Sequence, residues 1–288
     1  MPDNSSADLL ERYFWRAYEP VHATCYFHPS FAAAMVESGL TGGWNGYFAG
    51  RAFPLGSTPP QVVTALFYGF APAMVARAIP KIWTRITPDA VRHARLAAAE
   101  TVLAEYAGAG STDDLRRVTD NLERVVDSLA CDGRALAGAW RSVPRPSSLF
   151  GRLWLATTVL REHRGDGHVI AATACGLTGL AASITHVATG LVNRAVLQQN
   201  RGWTDAEWVA AVELLRDRGV LAADGTLTTA GRALRERVEQ VTDRLAADQV
   251  RMLDDAAWTM AVLSALARTL VERSVVPMPN PMGVPRPS

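Results

Sequence analysis

The sequence has few cysteines and no apolar leader at its start. Cys25, Cys131 and Cys175 are an odd number at wide spacing, which argues against a disulfide framework and fits a reducing compartment. The residues from Met1 to Asp8 are polar and acidic, with no basic stretch leading into an apolar one, so no secretion signal is predicted. We therefore expect a cytoplasmic location.

The chain also lacks an excess of either charge. Lys and Arg number 29 and Asp and Glu number 28, which gives a formal net charge of +1. No overall field then draws the protein to nucleic acid or to an anionic membrane, so DNA binding would need a local basic patch. We expect no membrane partner.

Several enzyme motifs are missing. The sequence contains no phosphate-binding glycine loop of Walker or Rossmann type, no nucleophile elbow and no cysteine pair with metal-ligand spacing. Nucleotide-dependent and serine-hydrolase chemistry is therefore disfavoured, and the cofactor is unknown. The apolar run Val169–Val192 has the length of a membrane span, but glycines and hydroxyl residues interrupt it, so it predicts two buried helices.

The residues that are present predict a mainly α-helical fold. Ala, Leu, Val, Arg and Glu dominate, and most apolar residues recur at three- and four-residue spacing. A first helix is predicted from about Ala7 to Phe27, before Pro29. The proline-rich stretch at 144–148 is the best linker, so we predict an N-terminal helical domain over 1–145, a second helical domain over 146–276 and a flexible proline-rich tail over 277–288.

The second domain has the turn and cap signals of a winged helix. Thr204 is placed to cap a helix from Asp205 to Arg218, and Gly219 would end it. The Asp224-Gly225 pair lies between two short apolar stretches, and a helix resumes at Thr229. Helix, short hairpin and helix together predict a winged-helix module with a small β-hairpin wing.

The same segments resemble a known family over nearly the whole chain. The residues that carry the resemblance are His22 with Tyr26-Phe27, Tyr47 to Ala52 with Pro54-Leu55-Gly56, Leu160 to His168, Arg201 to Thr204 with Glu207-Trp208, and Thr242 to Ala246. They are similar to the actinobacterial helix-turn-helix family named after EvbL of the evernimicin cluster. The resemblance implies a winged helix and an association with secondary metabolism.

The start of the presumed recognition helix is poorly suited to DNA. A helix-turn-helix reader presents Arg, Lys, Asn or Gln to the major groove, whereas this end offers Thr204, Asp205, Glu207 and Trp208. Carboxylates there would repel phosphates. DNA binding is therefore disfavoured, and we expect the module to be structural or dimer-forming, with a homodimer as the commonest arrangement.

The segment Arg161–His168 is the best candidate for a functional site. It places six ionisable side chains and two glycines between two long apolar segments. We expect a helix to reach His163, Gly165 to end it, Asp166 to cap the next helix and His168 to lie in that helix's first turn, where the dipole would favour a neutral ring.

Structural and functional interpretations of this segment both remain open. Helix junctions often carry such groups, with Glu162 pairing with Arg161 or Arg152. In the functional interpretation, Arg161 or Arg164 binds a carboxylate or phosphate, His163 and His168 are acid/base residues and Asp166 orients them. A metal site formed by His163, Asp166 and His168 would need a further ligand such as His22. The spacing matches no standard zinc motif, so no metal is assigned.

Residues earlier in the chain are expected to form a second wall of the pocket that contains Arg161–His168. His22, Cys25 and Tyr26 share one face of the first helix, although a histidine beside aromatic residues is more often a hydrogen-bonded core group. Tyr47 and Arg51 follow in a glycine-rich segment, where the arginine is either a second anion clamp or a buried group that ties loop carbonyls together.

These residues predict a protein that binds a small molecule in a pocket between its two domains. The main hypothesis is an enzyme of secondary metabolism that uses His, Asp and Arg acid/base chemistry on an anionic or aromatic metabolite, as a lyase or hydrolase. The alternative is a ligand-responsive winged-helix regulator that binds DNA, and a third class is a scaffold or carrier.

Overall fold

The chain forms helices almost throughout. The computed structural model describes residues 5–108, 112–280 and 286–287, with side chains from residue 10 onward. The first half contains α1 (Ser5–Phe27), α2 (Pro29–Glu37), α3 (Gly43–Ala52), α4 (Pro60–Phe67), α5 (Pro72–Ala78), α6 (Pro88–Tyr106), α7 (Thr112–Ser128) and α8 (Ala135–Arg141). The second half contains α9 (Leu149–Ala174), α10 (Gly179–Val187), α11 (Arg194–Arg201), α12 (Asp205–Asp217), α13 (Thr229–Ala246), α14 (Asp248–Arg251) and α15 (Ala256–Glu272). The prediction of a mainly α-helical protein is confirmed.

Local caps set several of these helix ends. Ser148 accepts a hydrogen bond from the backbone N–H of Gly151 at the start of α9. Thr204 and Glu207 form a reciprocal capping box at the start of α12, and Gly219, with φ of +67°, follows its end. The predicted α12 is therefore confirmed to within one residue.

Helix α9 passes without a break through the segment that was expected to end it. It continues for 26 residues across Gly165 and Asp166, although a helical glycine costs about 1 kcal/mol relative to alanine. The surrounding helices α1, α6, α7, α8 and α13 pack on α9 and hold it. The expected helix end at Gly165 is wrong, and His168 lies in the interior of a helix rather than in a first turn.

The predicted β-hairpin wing is also wrong. Within the described parts of the chain there is no strand, and the segment after α12 contains a single antiparallel bridge between Leu221 and Leu227. The Asp224 carboxylate accepts the N–H of Thr226 and closes the turn. Of the 11 residues at 218–228, Arg218 and Gly219 end α12 and Thr228 caps α13, so the remainder forms one bridge and a turn rather than a ladder.

Two hydrophobic cores lie along α9. The first joins α1 to α8 with the first half of α9 and with α15, and the second joins the end of α9 with α10, α12 and α13. The boundary near residue 145 stays a prediction, since α9 and α15 share the core of the N-terminal helices. The predicted tail over 277–288 lies partly outside the described residues, which include only 277–280 and 286–287 of it.

Among the described residues, no single helix has the length and apolar composition of a membrane span. Helices α9 and α10 satisfy those criteria only as a pair, which bends by 95° at the break between them.

Candidate ligand-binding cavity

A cavity of about 610 Å³ lies between the N-terminal helices and the helices that follow α9. Its walls come from α1, α3, α4, α9, α10, α11 and α13. Six of the nine predicted site residues line it: Tyr26, Tyr47, Arg51, Arg161, Arg164 and His168. The volume is that of a pocket for a small organic molecule.

Beneath the cavity, Glu162 holds two of its arginines. Arg51 donates from Nε and Nη2 to the two carboxylate oxygens, each at 2.9 Å, and Arg161 donates from Nη1 at 2.7 Å. Burial alone raises the pKa of Glu162, but the charges of Arg161 and Arg51 outweigh it and lower that pKa to about 2. Arg51 is therefore part of a buried ion-pair network, and the partner of Arg152 is not Glu162 but Asp120 with Glu123.

Arg164 is also matched by a carboxylate from a distant helix. It donates from Nη2 to Asp243 of α13 at 2.7 Å, and its guanidinium carbon lies 5.1 Å from the centre of the Trp15 ring. Among the described residues its buried Nη1 finds no hydrogen-bond partner. This arginine therefore retains unused hydrogen-bonding capacity at the cavity wall.

Arg201 is a cavity arginine that we did not select from the sequence. It is the last residue of α11, and its guanidinium carbon lies 4.3 Å from the centre of the Phe70 ring. Burial lowers the pKa of Arg201, the charge of Arg51 lowers it further, and an interaction with Tyr47 opposes that shift. Within the described part of the chain no carboxylate lies within ion-pair distance of it. The only sequence signal was its place at the head of the Arg-Gly-Trp-Thr segment.

His168 presents an unprotonated nitrogen. Thr242 donates its hydroxyl hydrogen to the carbonyl of Val238 at 2.8 Å, so it must accept from His168 Nδ1, 3.1 Å away. Nε2 is then the acceptor nitrogen. Burial lowers the pKa of His168, with Arg235 adding to the shift and Glu239 opposing it. The sequence predicted a neutral His168 ring because of a helix dipole. In the structure, burial is the main cause instead.

The Tyr26 hydroxyl is hydrogen-bonded to His22, which does not line the cavity. Thr158 donates to the carbonyl of Trp154 at 2.7 Å and so accepts from His22 Nδ1 at 2.9 Å. His22 Nε2 must then accept the Tyr26 hydroxyl hydrogen, 3.0 Å away. The Tyr26 oxygen consequently offers lone pairs rather than a proton to the cavity.

His163 and Asp166 do not line the cavity. His163 Nδ1 accepts from Gln249 at 3.0 Å while Nε2 donates to the carbonyl of Ala130 at 3.2 Å. Asp166 accepts the backbone N–H groups of Leu136 and Ala137 and so caps α8 from the side. Asp166 is a helix cap as expected, but of a helix other than the predicted one. The catalytic roles of both residues stay predictions.

The described residues contain no group of three or more His, Cys, Asp or Glu side chains that could hold a metal ion. His22, His163, Asp166 and His168 each face protein partners of their own. The structure therefore does not bring together the ligands of the metal alternative.

Helices α11 and α12 form a helix-turn-helix that is joined to the cavity. Their turn is Gly202-Trp203-Thr204, and Gly202 has the left-handed φ of +75° that this geometry requires. Trp203 Nε1 donates to the carbonyl of Gly69 at 2.9 Å. The carbonyl of Arg201 accepts the N–H of Ala71 at 2.8 Å. The turn is thus tied to the segment beside the cavity.

This arrangement agrees with a comparison against family models, in which a helix-turn-helix family matches residues 11–277. The chain belongs to this helix-turn-helix family. No curated protein and no solved structure matches this helix-turn-helix protein significantly. Its narrower likeness to the EvbL-named family, the link to secondary metabolism, the cytoplasmic location and the homodimer stay predictions.

Proposed function

We propose that the protein is a ligand-responsive helix-turn-helix regulator, in which a small molecule in the cavity alters the binding of α11 and α12 to DNA. The observation that carries this proposal is the position of Arg201. Its side chain lines the cavity, and its backbone ends the first helix of the helix-turn-helix. A ligand that contacts Arg201 therefore contacts the DNA-binding unit directly, and differential binding to two states of that unit would shift their populations.

Family membership favours DNA binding, whereas the acidic start of α12 argues against it. In the structure these acids have partners: Asp205 accepts from Arg194 at 3.2 Å and Glu207 accepts from the backbone of Thr204 at 2.9 Å. Ala206 and Ala210, one turn apart, are exposed on α12, and further along the same face Glu213 pairs with Arg216 at 2.7 Å. We assign this face to the DNA.

The test is binding to duplexes tiled across the region upstream of the protein's own gene, measured by fluorescence anisotropy at several salt concentrations. We expect sequence-dependent binding that weakens as salt rises. Ala210→Glu places a carboxylate on the exposed face of α12 and should abolish it. Ala261→Glu, on the exposed face of α15, is the matched control. Binding without sequence preference, or equal binding by the two variants, would refute the proposal.

A second candidate is an acid/base enzyme, which the position of His168 favours. Its unprotonated Nε2 belongs to a cavity-lining ring among several arginines, as a general base for an anionic substrate requires. His168→Ala should then abolish turnover of a cavity-bound substrate and leave both the fold and DNA binding intact. A variant that turns over substrate normally would remove this candidate.

A further inference from the structure

In the described part of the chain, every arginine that lines the cavity, except one, has a carboxylate within ion-pair distance. Arg51 and Arg161 pair with Glu162, Arg164 pairs with Asp243, and Arg235 pairs with Glu239. Arg201 has no such partner among the described residues; its guanidinium lies against the Phe70 ring and interacts with the Tyr47 hydroxyl. A partly buried cation without a counterion is costly, so this position favours an anion supplied by a ligand.

Aromatic surface lies beside the unmatched charge. Phe70 lies under the Arg201 guanidinium and is itself in contact with Trp44 and Tyr47, whose rings are 5.8 Å and 5.3 Å from it. Trp44 and Tyr47 line the cavity, and Trp44 is 40% exposed. A ring that stacks on Trp44 or Tyr47 would therefore lie next to the anion site.

We infer that the ligand is an aromatic acid, with its carboxylate on Arg201 and its ring system against Trp44 and Tyr47. This inference rests on the proposed function for its regulatory meaning, but the binding itself does not require DNA. An inorganic anion would leave the aromatic surface unused, and a neutral ring would leave Arg201 uncompensated. The cavity of about 610 Å³ has room for two or three fused rings.

The probes are 2-naphthoate and its neutral analogue 2-naphthamide, titrated into the full chain without DNA by isothermal calorimetry. They have the same ring and nearly the same shape and differ in charge. We expect the acid to bind at least about 10-fold more tightly than the amide, because a charge-assisted hydrogen bond forms only with the acid. Equal affinities, or no binding of the acid at up to about 5 mM, would overturn the inference.

Two variants test whether Arg201 is the residue that binds the carboxylate of the acid. Arg201→Gln should weaken the acid by about 10- to 100-fold and erase its advantage over the amide. Arg201→Lys keeps a cation and should keep the preference for the acid, which also guards against a misfolded glutamine variant. The matched control is Arg194→Gln on the same helix, whose guanidinium pairs with Asp205 away from the cavity. A preference for the acid that survives Arg201→Gln would overturn the assignment.

The outcomes separate this inference from the proposed function. If 2-naphthoate binds through Arg201 but no duplex is bound specifically, the ligand class stands and the regulator does not. If duplexes bind specifically but the acid and the amide bind equally, the regulator stands and the ligand class is wrong.

Discussion

Glu162 is buried beneath the cavity, where it accepts hydrogen bonds from Arg51 on α3 and from its neighbour Arg161. Its side chain is only 1% exposed, so water does not share in balancing these charges. The position of the Arg51 guanidinium therefore depends on this carboxylate, whereas Arg161 also has Glu19 at 3.6 Å. The pairing of Arg51 with Glu162 spans 111 positions of sequence and could not be read from local spacing.

Removal of the Glu162 charge tests this dependence. Glu162→Gln leaves the buried Arg51 without its anion and Arg161 with only the longer pair to Glu19, and we expect a loss of about 3–5 kcal/mol in the free energy of unfolding, measured with guanidinium chloride. The matched control is Glu213→Gln, which breaks an exposed pair with Arg216 and should cost about 0.5 kcal/mol or less. Similar losses in the two variants would show that the buried network is not a principal source of stability.

At the scale of single elements, the short helix α8 owes its start to a residue outside it. The Asp166 carboxylate accepts the N–H groups of Leu136 and Ala137 at 3.0 and 2.9 Å. Asp166→Ala should cost about 1–2 kcal/mol of unfolding free energy, whereas Asp166→Asn keeps an acceptor oxygen and should cost less. Urea unfolding of both variants checks the order. A larger loss for the asparagine variant would contradict the capping role.

The turn of the helix-turn-helix gives a second prediction at this scale. A Cβ added at Gly202 would lie 2.7 Å from the Cβ of Met74, whereas one added at Gly219 would meet nothing within 4 Å. Both glycines have positive φ, so alanine costs about 1 kcal/mol at either position. Gly202→Ala should lose a further 1–3 kcal/mol, roughly, through overpacking. Thermal unfolding of the pair measures the difference, and equal losses would show that the turn does not pack tightly on α5.

For the whole molecule, buried neutral histidines determine how stability depends on pH. Burial lowers the pKa of His163 and of His186 to about 4, from an ordinary value of 6.5. Between these pH values the unfolded chain binds protons that the folded protein does not, so stability falls as pH falls through this window. Asp166 has the opposite sign, because burial raises its pKa to about 6 and the folded state binds its proton first.

The lowered pKa values of His22 and His168 add to the effect of these two histidines, while the raised pKa of the buried Glu19 adds to that of Asp166, and the histidines together outweigh the two acids. We expect the free energy of unfolding to drop by about 2 kcal/mol between pH 7 and pH 5, measured by chemical denaturation at each pH. His163→Gln should flatten this slope, while His93→Gln, at a 65% exposed side chain, should not. Stability that is constant or rises towards pH 5 would contradict the prediction.

The sequence alone predicted the helical class, the ends of α1 and α12 and six residues that line the cavity. These features depend on local interactions: the Thr204 cap, the glycine after α12 and apolar spacing along each helix are set by neighbours a few positions away. The density of charge in Arg161–His168 likewise indicated a buried polar cluster, because charged side chains between two apolar segments need partners when the segments pack.

Tertiary packing decided what local signals could not. Contacts on several sides of α9 outweigh the weak helix propensity of Gly165 and Gly167, so the helix continues and turns Asp166 towards α8 and His168 towards the cavity. The short segment after α12 closes a bridge instead of a wing. Arg201 joins the cavity only because the turn of the helix-turn-helix packs on the 69–71 segment, more than a hundred residues earlier in the chain.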